Sequence, residues 1–463
     1  MPCSDSSLQL PRRVFASLVH AKPRVSVLKR LILALHRIAK VANRAVSAPA
    51  GLLVSRIVVS LAAVVTSPMI ARSTGAEGRG LIAAAMTVLM ILPVALALGL
   101  PWAVRRRCAL NPSSSDQIVR SAEVLAIPMI LPAVGIGIGL NESFLSELPH
   151  AAQIWFLGGL ALTPLIISRN CLYSVLVVHE RFRALFFATV SQPIVNVVAV
   201  VILFTSSHLT IATAIASTTL SIAVSFAVTL SIDAGKKIGG TVPLKGLLKE
   251  SVSAAGAQIS EIASYRLNQL VLLPVIGSAA LGNYAVAVNI SLAPAPVGQA
   301  IGTATFRRSA TIDELGRRQI AESTLRAAIS VGVCIAVVLG ALSPFVVPLL
   351  FGPDFSSAVV ATQILSVGLV FVIANYTLTS NLIAQGLSTR ASVAQYLGFS
   401  IGTALVIAMG LFAGLAGAAI GSVLGFVVTS IASSLFLGVG LSAWVPTVTG
   451  IRDAVSILKG RKQ

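Results

Sequence analysis

Long apolar stretches recur along this chain, each closed by a short break rich in Gly, Pro, Ser or charge. A membrane helix needs about 20 apolar residues at 1.5 Å rise each, so every stretch predicts one crossing. Twelve are read, over 50–71, 80–104, 118–140, 152–178, 184–205, 209–232, 251–276, 281–306, 321–350, 358–385, 391–413 and 415–440. The expected fold class is therefore all-α and integral to a membrane, with about 12 transmembrane helices.

The polar breaks alternate in charge. Arg105, Arg106 and Arg107, Arg181 and Arg183, Lys236 to Lys249, Arg307 to Arg318, and Arg390 fall in every second connection, on the same side as both tails. The other connections hold only Arg72 and Arg79, and one of them, NESFLSELPH, carries Glu142 and Glu147 without Lys or Arg. Positive loops stay on the cytoplasmic side, which predicts a multi-pass protein of the cytoplasmic membrane with both termini inside. Ahead of the first stretch, Leu28, Leu31, Ile32, Leu35, Ile38, Ala39 and Ala42 share one helical face opposite Lys29, Arg30, Arg37, Lys40 and Arg44. Two readings stay open: an interfacial helix on anionic lipids, or a disordered basic tail.

A repeat emerges from the glycines. Gly75, Gly80 and Ala83 in STGAEGRGLIAAA return with the same spacing as Gly277, Gly282 and Ala285 in VIGSAALGNYAVA, about 200 residues on. Six crossings per half is an even number, so the halves share one orientation and suggest two bundles rocking about a central cavity. The expected organisation is a basic tail over 1–48, a six-helix bundle over 49–232, a cytoplasmic linker over 233–250, a second bundle over 251–440 and a basic tail over 441–463.

Composition narrows the class further. Hydrophobic residues make up 56% and charged residues 11% of 463, which no soluble core accommodates. The net charge of +19 would invite nucleic acid in a soluble protein; placed in alternate loops, and with only 5% aromatics, it predicts no nucleic-acid partner. Cys3, Cys108, Cys171 and Cys334 stand far apart, with no metal-ligand spacing. The phosphate loop GxxxxGK[ST] and HExxH are missing, so no cofactor, no metal, no catalytic residue and no ATP hydrolysis by this chain are expected. Gly135, Gly137 and Gly139, and Gly417, Gly421 and Gly425, read as small-residue helix contacts.

Ionisable residues deep in crossings are costly and point to function. Arg169 in the fourth, and Glu261 with Arg266 in the seventh, lie about 15 Å from a helix end at 1.5 Å per residue. Arg56 is shallower, placed either to snorkel to headgroups or to face a cavity. In the seventh crossing Gln258, Glu261, Tyr265, Asn268 and Gln269 share a face within about 100°, with Arg266 at its margin. That stripe either lines water or bonds to other helices, and a buried Glu261–Arg266 bridge is its structural alternative. Gln192, Asn196, Asn289, Asn375, Asn381 and Gln385 are weaker signals of the same kind.

Three segments resemble one family. STGAEGRGLIAAAMTV, LLKESVSAAGAQISEIASYRLNQLVLLPVIGSAALGNYAVAVNI and LLFGPDFSSAVVATQILSVG are similar, in that order, to segments of the polysaccharide-transporter family. Its members are the Wzx-type oligosaccharide flippases of the multidrug and oligosaccharidyl-lipid exporter superfamily, and the likeness runs from about Ser55 to Leu437. The resemblance implies two six-helix bundles around a V-shaped central cavity, as in MATE exporters. It also implies outward movement of polyprenyl-pyrophosphate-linked oligosaccharide for cell-surface polysaccharide biosynthesis, with the polysaccharide polymerase and glycosyltransferases as partners. Many members carry Asp in an R-x-D-x-L pattern of the seventh helix; here YRLNQL matches at Arg266 but has Asn268 in place of the acid. The expected substrate site is Arg56, Arg169 and Arg266 for the pyrophosphate, Glu261 to hold an arginine in the empty state, and Gln258, Tyr265, Asn268 and Gln269 for the sugars. A multidrug extruder would favour carboxylates over buried arginines, and a membrane enzyme of envelope assembly would need a larger outer loop. A lipid-linked peptidoglycan precursor flippase shares the same physics and stays open.

Overall fold

The computed structural model describes the backbone of residues 50–232, 240–311 and 314–458. The side chains of residues 50, 52, 53, 253, 254, 256–270, 307, 310, 311, 314, 315 and 458 lie outside the description, as does the amphipathic face expected over 28–44. Every regular element among the described residues is helical.

The first half holds α1 (Ala50–Leu96), α2 (Leu100–Leu110), α3 (Ser115–Ala126), α4 (Ile130–Ser143), α5 (His150–Ala161), α6 (Thr163–Val178), α7 (Phe182–Thr205) and α8 (Ile211–Ile232). The second holds α9 (Leu244–Ser291), α10 (Pro296–Thr311), α11 (Glu314–Phe351), α12 (Ala358–Ala384), α13 (Ser388–Leu437) and a short α14 (Val448–Leu458). Helices α1, α9 and α13 each fold back on themselves, at Gly75, at Gly277 and at Ala413–Gly414. Counting each as two passes, with α2 and α10 continuing the second passes of α1 and α9, the pairs α3–α4 and α5–α6 as one each, and the short α14 set aside, gives six crossings per half among the described residues. Large apolar side chains stand outward where lipid would meet them, Phe412 at 92% exposure and Phe345 at 74%.

Several crossings are less regular than their apolar runs imply. The second breaks at Leu98 and Gly99, both with positive φ, before Pro101 starts α2 in its first turn. The fourth bends by 44° between α5 and α6, with Pro164 opening the new helix. The eighth is interrupted between Leu292 and Pro296, where Pro294 and Pro296 withhold backbone donors. The seventh starts early: α9 is already helical from Leu244.

The glycine repeat shapes the seam between the halves. Gly75 (φ 67, ψ −177) and Gly277 (φ 79, ψ 169) occupy a backbone region open only to glycine, so both reversals need a residue without Cβ. Five residues on, the two returning helices cross so closely that a Cβ on Gly80 would stand 1.8 Å from the Ser278 carbonyl oxygen, and one on Gly282 1.9 Å from that of Ala76. These contacts exchange under the offset that relates the repeats, a local two-fold.

From this crossing the halves diverge. At the end bearing Gly75, Gly277, Gly352 and Gly414, here termed the glycine end, one core joins them: Leu81, Ala85 and Val88 of α1 pack with Leu281, Tyr284 and Ala287 of α9. Toward the opposite, basic end the cores separate, one around Val104, Ile118 and Leu172, another around Leu325, Leu378 and Leu382. There α2 packs on α3, α6 and the first turns of α9, whereas α10 packs on α11, α12 and α14. The result is a V closed at the glycine end. The last hairpin is zipped by its small residues: Gly402 and Gly425 meet backbone to backbone, and Gly417 lies against the Met409 carbonyl.

Candidate functional site

The arginines singled out by sequence sit in unlike places. Arg56, on the first pass of α1, donates from Nη1 to Gln299 Oε1 of α10, across the seam between the halves. The bond joins the first half to the second, and Arg56 remains solvent-exposed. Arg169, in α6, stays within the first bundle. It donates through Nη1 to Gln192 Oε1 of α7 at 2.6 Å and lies over the Tyr173 ring at 5.7 Å. No described carboxylate pairs with it, and its Nε is buried without a partner. Gln192, a weaker signal, is therefore the group that orients Arg169.

Arg266, Glu261, Gln258, Tyr265, Asn268 and Gln269 all lie on the first pass of α9, whose backbone is helical throughout; their side chains fall outside the described set. The weaker polar signals divide by location. Asn289 donates to Ser67 Oγ at 3.1 Å, joining α9 to α1 across the seam. Asn375 and Asn381 hold the second bundle together, the former accepting from Ser430 at 2.6 Å and the latter from Ser309 at 2.8 Å. Asn196 accepts from Ser217 at 3.0 Å.

Two groups escaped the sequence reading. Arg79, expected in an exposed turn, is turned inward to 8% exposure, with only Ser67 Oγ at 3.3 Å as its partner and Nε unsatisfied. The signal lay in the repeat, which places it beside Gly80 in the crossing. Glu250, at the end of the expected linker, accepts from Arg107 through both oxygens at 3.1 and 3.2 Å. That hydrogen-bonded guanidinium holds its carboxyl below the ordinary 4.5. With Ser251 Oγ donating to the Leu98 carbonyl at 2.7 Å, the pair ties the start of α9 to the first half at the basic end. A surface groove at the same end is lined by Arg181, Arg183, Phe187 and Ile232.

The seam brings together the cations Arg56 and Arg79 with the amides Gln299 and Asn289 and the Ser67 hydroxyl, and no group of three or more metal-ligating residues occurs among the described residues.

Solved structures share this architecture. The lipid II flippase MurJ in an inward closed conformation superposes with TM-score 0.67 at 14% identity, covering 88% of this chain and 90% of that one. MATE in complex with MaD3S gives 0.59 at 16% identity, with 88% and 95% covered. An outward-facing multidrug resistance MATE family transporter of the MOP superfamily gives 0.56 at 14%, with 88% and 96% covered. No curated protein is significantly similar in sequence. The molecule is a multi-pass membrane protein with the MOP exporter and flippase fold. Residues 50–312 match the model of the polysaccharide biosynthesis protein family, and the chain belongs to that family.

Proposed function

We propose that this protein translocates polyprenyl-pyrophosphate-linked oligosaccharide across the cytoplasmic membrane by alternating access. The observation that carries the reading is the two-fold crossing at Gly80 and Gly282, which closes one end of a V between two six-helix arms. Family membership supplies the context of polysaccharide assembly. The arms correspond to 49–232 and 251–440, joined through 233–250, with the tails 1–48 and 441–463 in the cytoplasm. In that orientation the glycine end faces outward and the arginine-rich end inward, in keeping with the positive-inside rule.

Arg56, Arg169 and Arg266 take the pyrophosphate, since guanidinium groups stay ionised and offer forked donors to phosphate oxygens. Arg56 already reaches across the seam to Gln299. Glu261 holds an arginine in the empty state, and Gln258, Tyr265, Asn268 and Gln269 meet the sugars. Anionic lipids bind at the basic end, where Arg183 stands exposed beside Phe187. The chain acts as a carrier and not an enzyme, supplied by glycosyltransferases and drained by a polymerase. An anionic head that carried its charge outward uncompensated would gain about 2.3 kcal/mol per charge per 100 mV, which makes membrane potential a physical candidate for the drive beside a proton or sodium ion.

Proteoliposomes loaded with a fluorescent polyprenyl-pyrophosphate-linked oligosaccharide test this. Purified protein is expected to make the inner-leaflet probe accessible to an impermeant quencher without ATP, and Arg169→Gln or Arg266→Gln to slow it by about tenfold. A rate equal to that of empty liposomes, or strict dependence on ATP hydrolysed by this chain, rejects the proposal.

A further inference from the structure

Arg79 is a cation that packing alone does not explain. It lies four residues beyond the Gly75 reversal, next to Gly80, in the closed crossing of α1 and α9. Its guanidinium carries five N–H donors and finds one hydrogen bond, to Ser67 Oγ at 3.3 Å. Ser67, itself 4% exposed, also accepts from Asn289 Nδ2 at 3.1 Å, so one hydroxyl oxygen serves two donors from two other passes. The Nε of Arg79 is buried without a partner, and no described carboxylate pairs with it. One residue past Gly282, Asn283 is 5% exposed with an unpartnered Oδ1, so the crossing is under-satisfied on both helices.

A buried, unpaired charge costs several kcal/mol, and nothing in the local architecture calls for it. The repeat itself supplies the comparison: the position equivalent to Arg79 in the second half is Leu281, fully buried in the shared core. The fold thus accommodates an apolar residue at one copy and holds a buried cation with an unsatisfied Nε at the other.

We propose that Arg79, placed by Ser67 and Asn289, is an anion-binding site at the glycine end of the transport path, covered while Gly80 and Gly282 touch. Its ligand is the pyrophosphate of the lipid-linked cargo as that group arrives at the outward side. Parting of the crossing uncovers the free Nε and Nη donors, which match two phosphate oxygens in forked geometry. The site rests on the flippase reading above and adds to it a last contact before release.

Equilibrium binding to the full-length protein in nanodiscs separates the two ideas, with undecaprenyl pyrophosphate, undecaprenol and inorganic pyrophosphate as probes. Arg79→Leu copies the repeat partner, so it is expected to fold with equal or higher thermal stability and to bind undecaprenyl pyrophosphate about tenfold more weakly, undecaprenol unchanged. Unchanged affinity for the pyrophosphate lipid, or an equal loss for undecaprenol, overturns the Arg79 site while leaving the flippase reading intact. Inorganic pyrophosphate binding as tightly as the lipid overturns the lipid as the ligand. Wild-type protein that binds no pyrophosphate lipid rejects the flippase reading itself. Should Arg79→Leu not fold, Arg79→Lys keeps the charge but loses the fork and is expected to weaken the pyrophosphate lipid alone by about threefold; equal binding overturns the site.

Discussion

The two ends of the molecule join α9 to the first half by opposite means. At the glycine end the contact is backbone on backbone, with Gly80 against the Ser278 carbonyl and Gly282 against that of Ala76. At the basic end it is charge on charge, Arg107 and Arg106 about Glu250, in a setting where Glu250 keeps 33% exposure. The first contact depends on shape and is indifferent to salt and pH. The second depends on ionisation and is screened by water and ions. The contact at the glycine end is therefore governed by sterics, and the tie of α9 to the first half at the basic end by electrostatics.

The largest effect is expected where shape alone decides. Gly80→Ala and Gly282→Ala each place a methyl inside a backbone contact, and each should cost about 1–3 kcal/mol, as overpacking does. Because one parting of the helices relieves both clashes, the double variant should cost clearly less than the sum of the singles. Gly135→Ala and Gly139→Ala serve as neutral controls: their new Cβ would meet open space, and of the three glycines read from sequence as a helix contact only Gly137 meets a neighbour, Leu160. Thermal unfolding of the purified variants checks this. Strict additivity, or loss at the controls as large as at the crossing, would separate Gly80 and Gly282 into unrelated sites.

Much of this contrast was legible beforehand. The apolar windows yielded the crossings and the return of Gly75, Gly80 and Ala83 showed two halves, because both signals are local and repeat along the chain; that the two copies meet each other is visible only in the fold. The breaks at Leu98–Gly99 and Leu292–Pro296 were lost inside apolar windows, since hydropathy reports burial in lipid and not backbone continuity. Arg79 was misplaced for a related reason. Charge near a turn looks solvated, and only the crossing of two distant helices shows that the turn is covered. Sequence alone leaves Arg56 between headgroup and cavity, because its partner Gln299 lies 243 residues away, beyond any local pattern.

A smaller effect is expected at the basic end. The Arg107 hydrogen bonds hold Glu250 below its ordinary 4.5, so the folded state binds its proton more weakly than the unfolded chain. That contribution is fully present above pH 4.5 and is lost as pH falls through the lowered folded value. Replacing Glu250 by Gln should cost about 0.5–1 kcal/mol at neutral pH, the range of a partly solvated pair. Melting curves of both proteins from pH 7 downward are expected to converge below 4.5, and to converge again at pH 7 in high salt. A gap independent of both pH and salt would mean that Glu250 contributes packing and not charge.

The smallest expected effect belongs to Arg72, which brings a charge to the glycine end and so tests whether that end is steric throughout. Its Nε donates to the Leu350 carbonyl at 2.8 Å and its Nη2 to that of Leu349, in the last turn of α11. Those carbonyls lack intrahelical partners, and a cation at a helix C-terminus is worth about 0.3–1 kcal/mol when exposed. Arg72→Ala should therefore lower stability by that amount, whereas Arg72→Lys should recover the charge term but not the two-carbonyl geometry. Because Arg72 lies in the first half and α11 in the second, the bond also crosses the seam. If the glycine contact sets closure alone, Arg72→Ala will leave quencher accessibility at Thr74→Cys unchanged. Increased accessibility there, matching that of Gly80→Ala, would show that the closed end is held by charge as well as by shape.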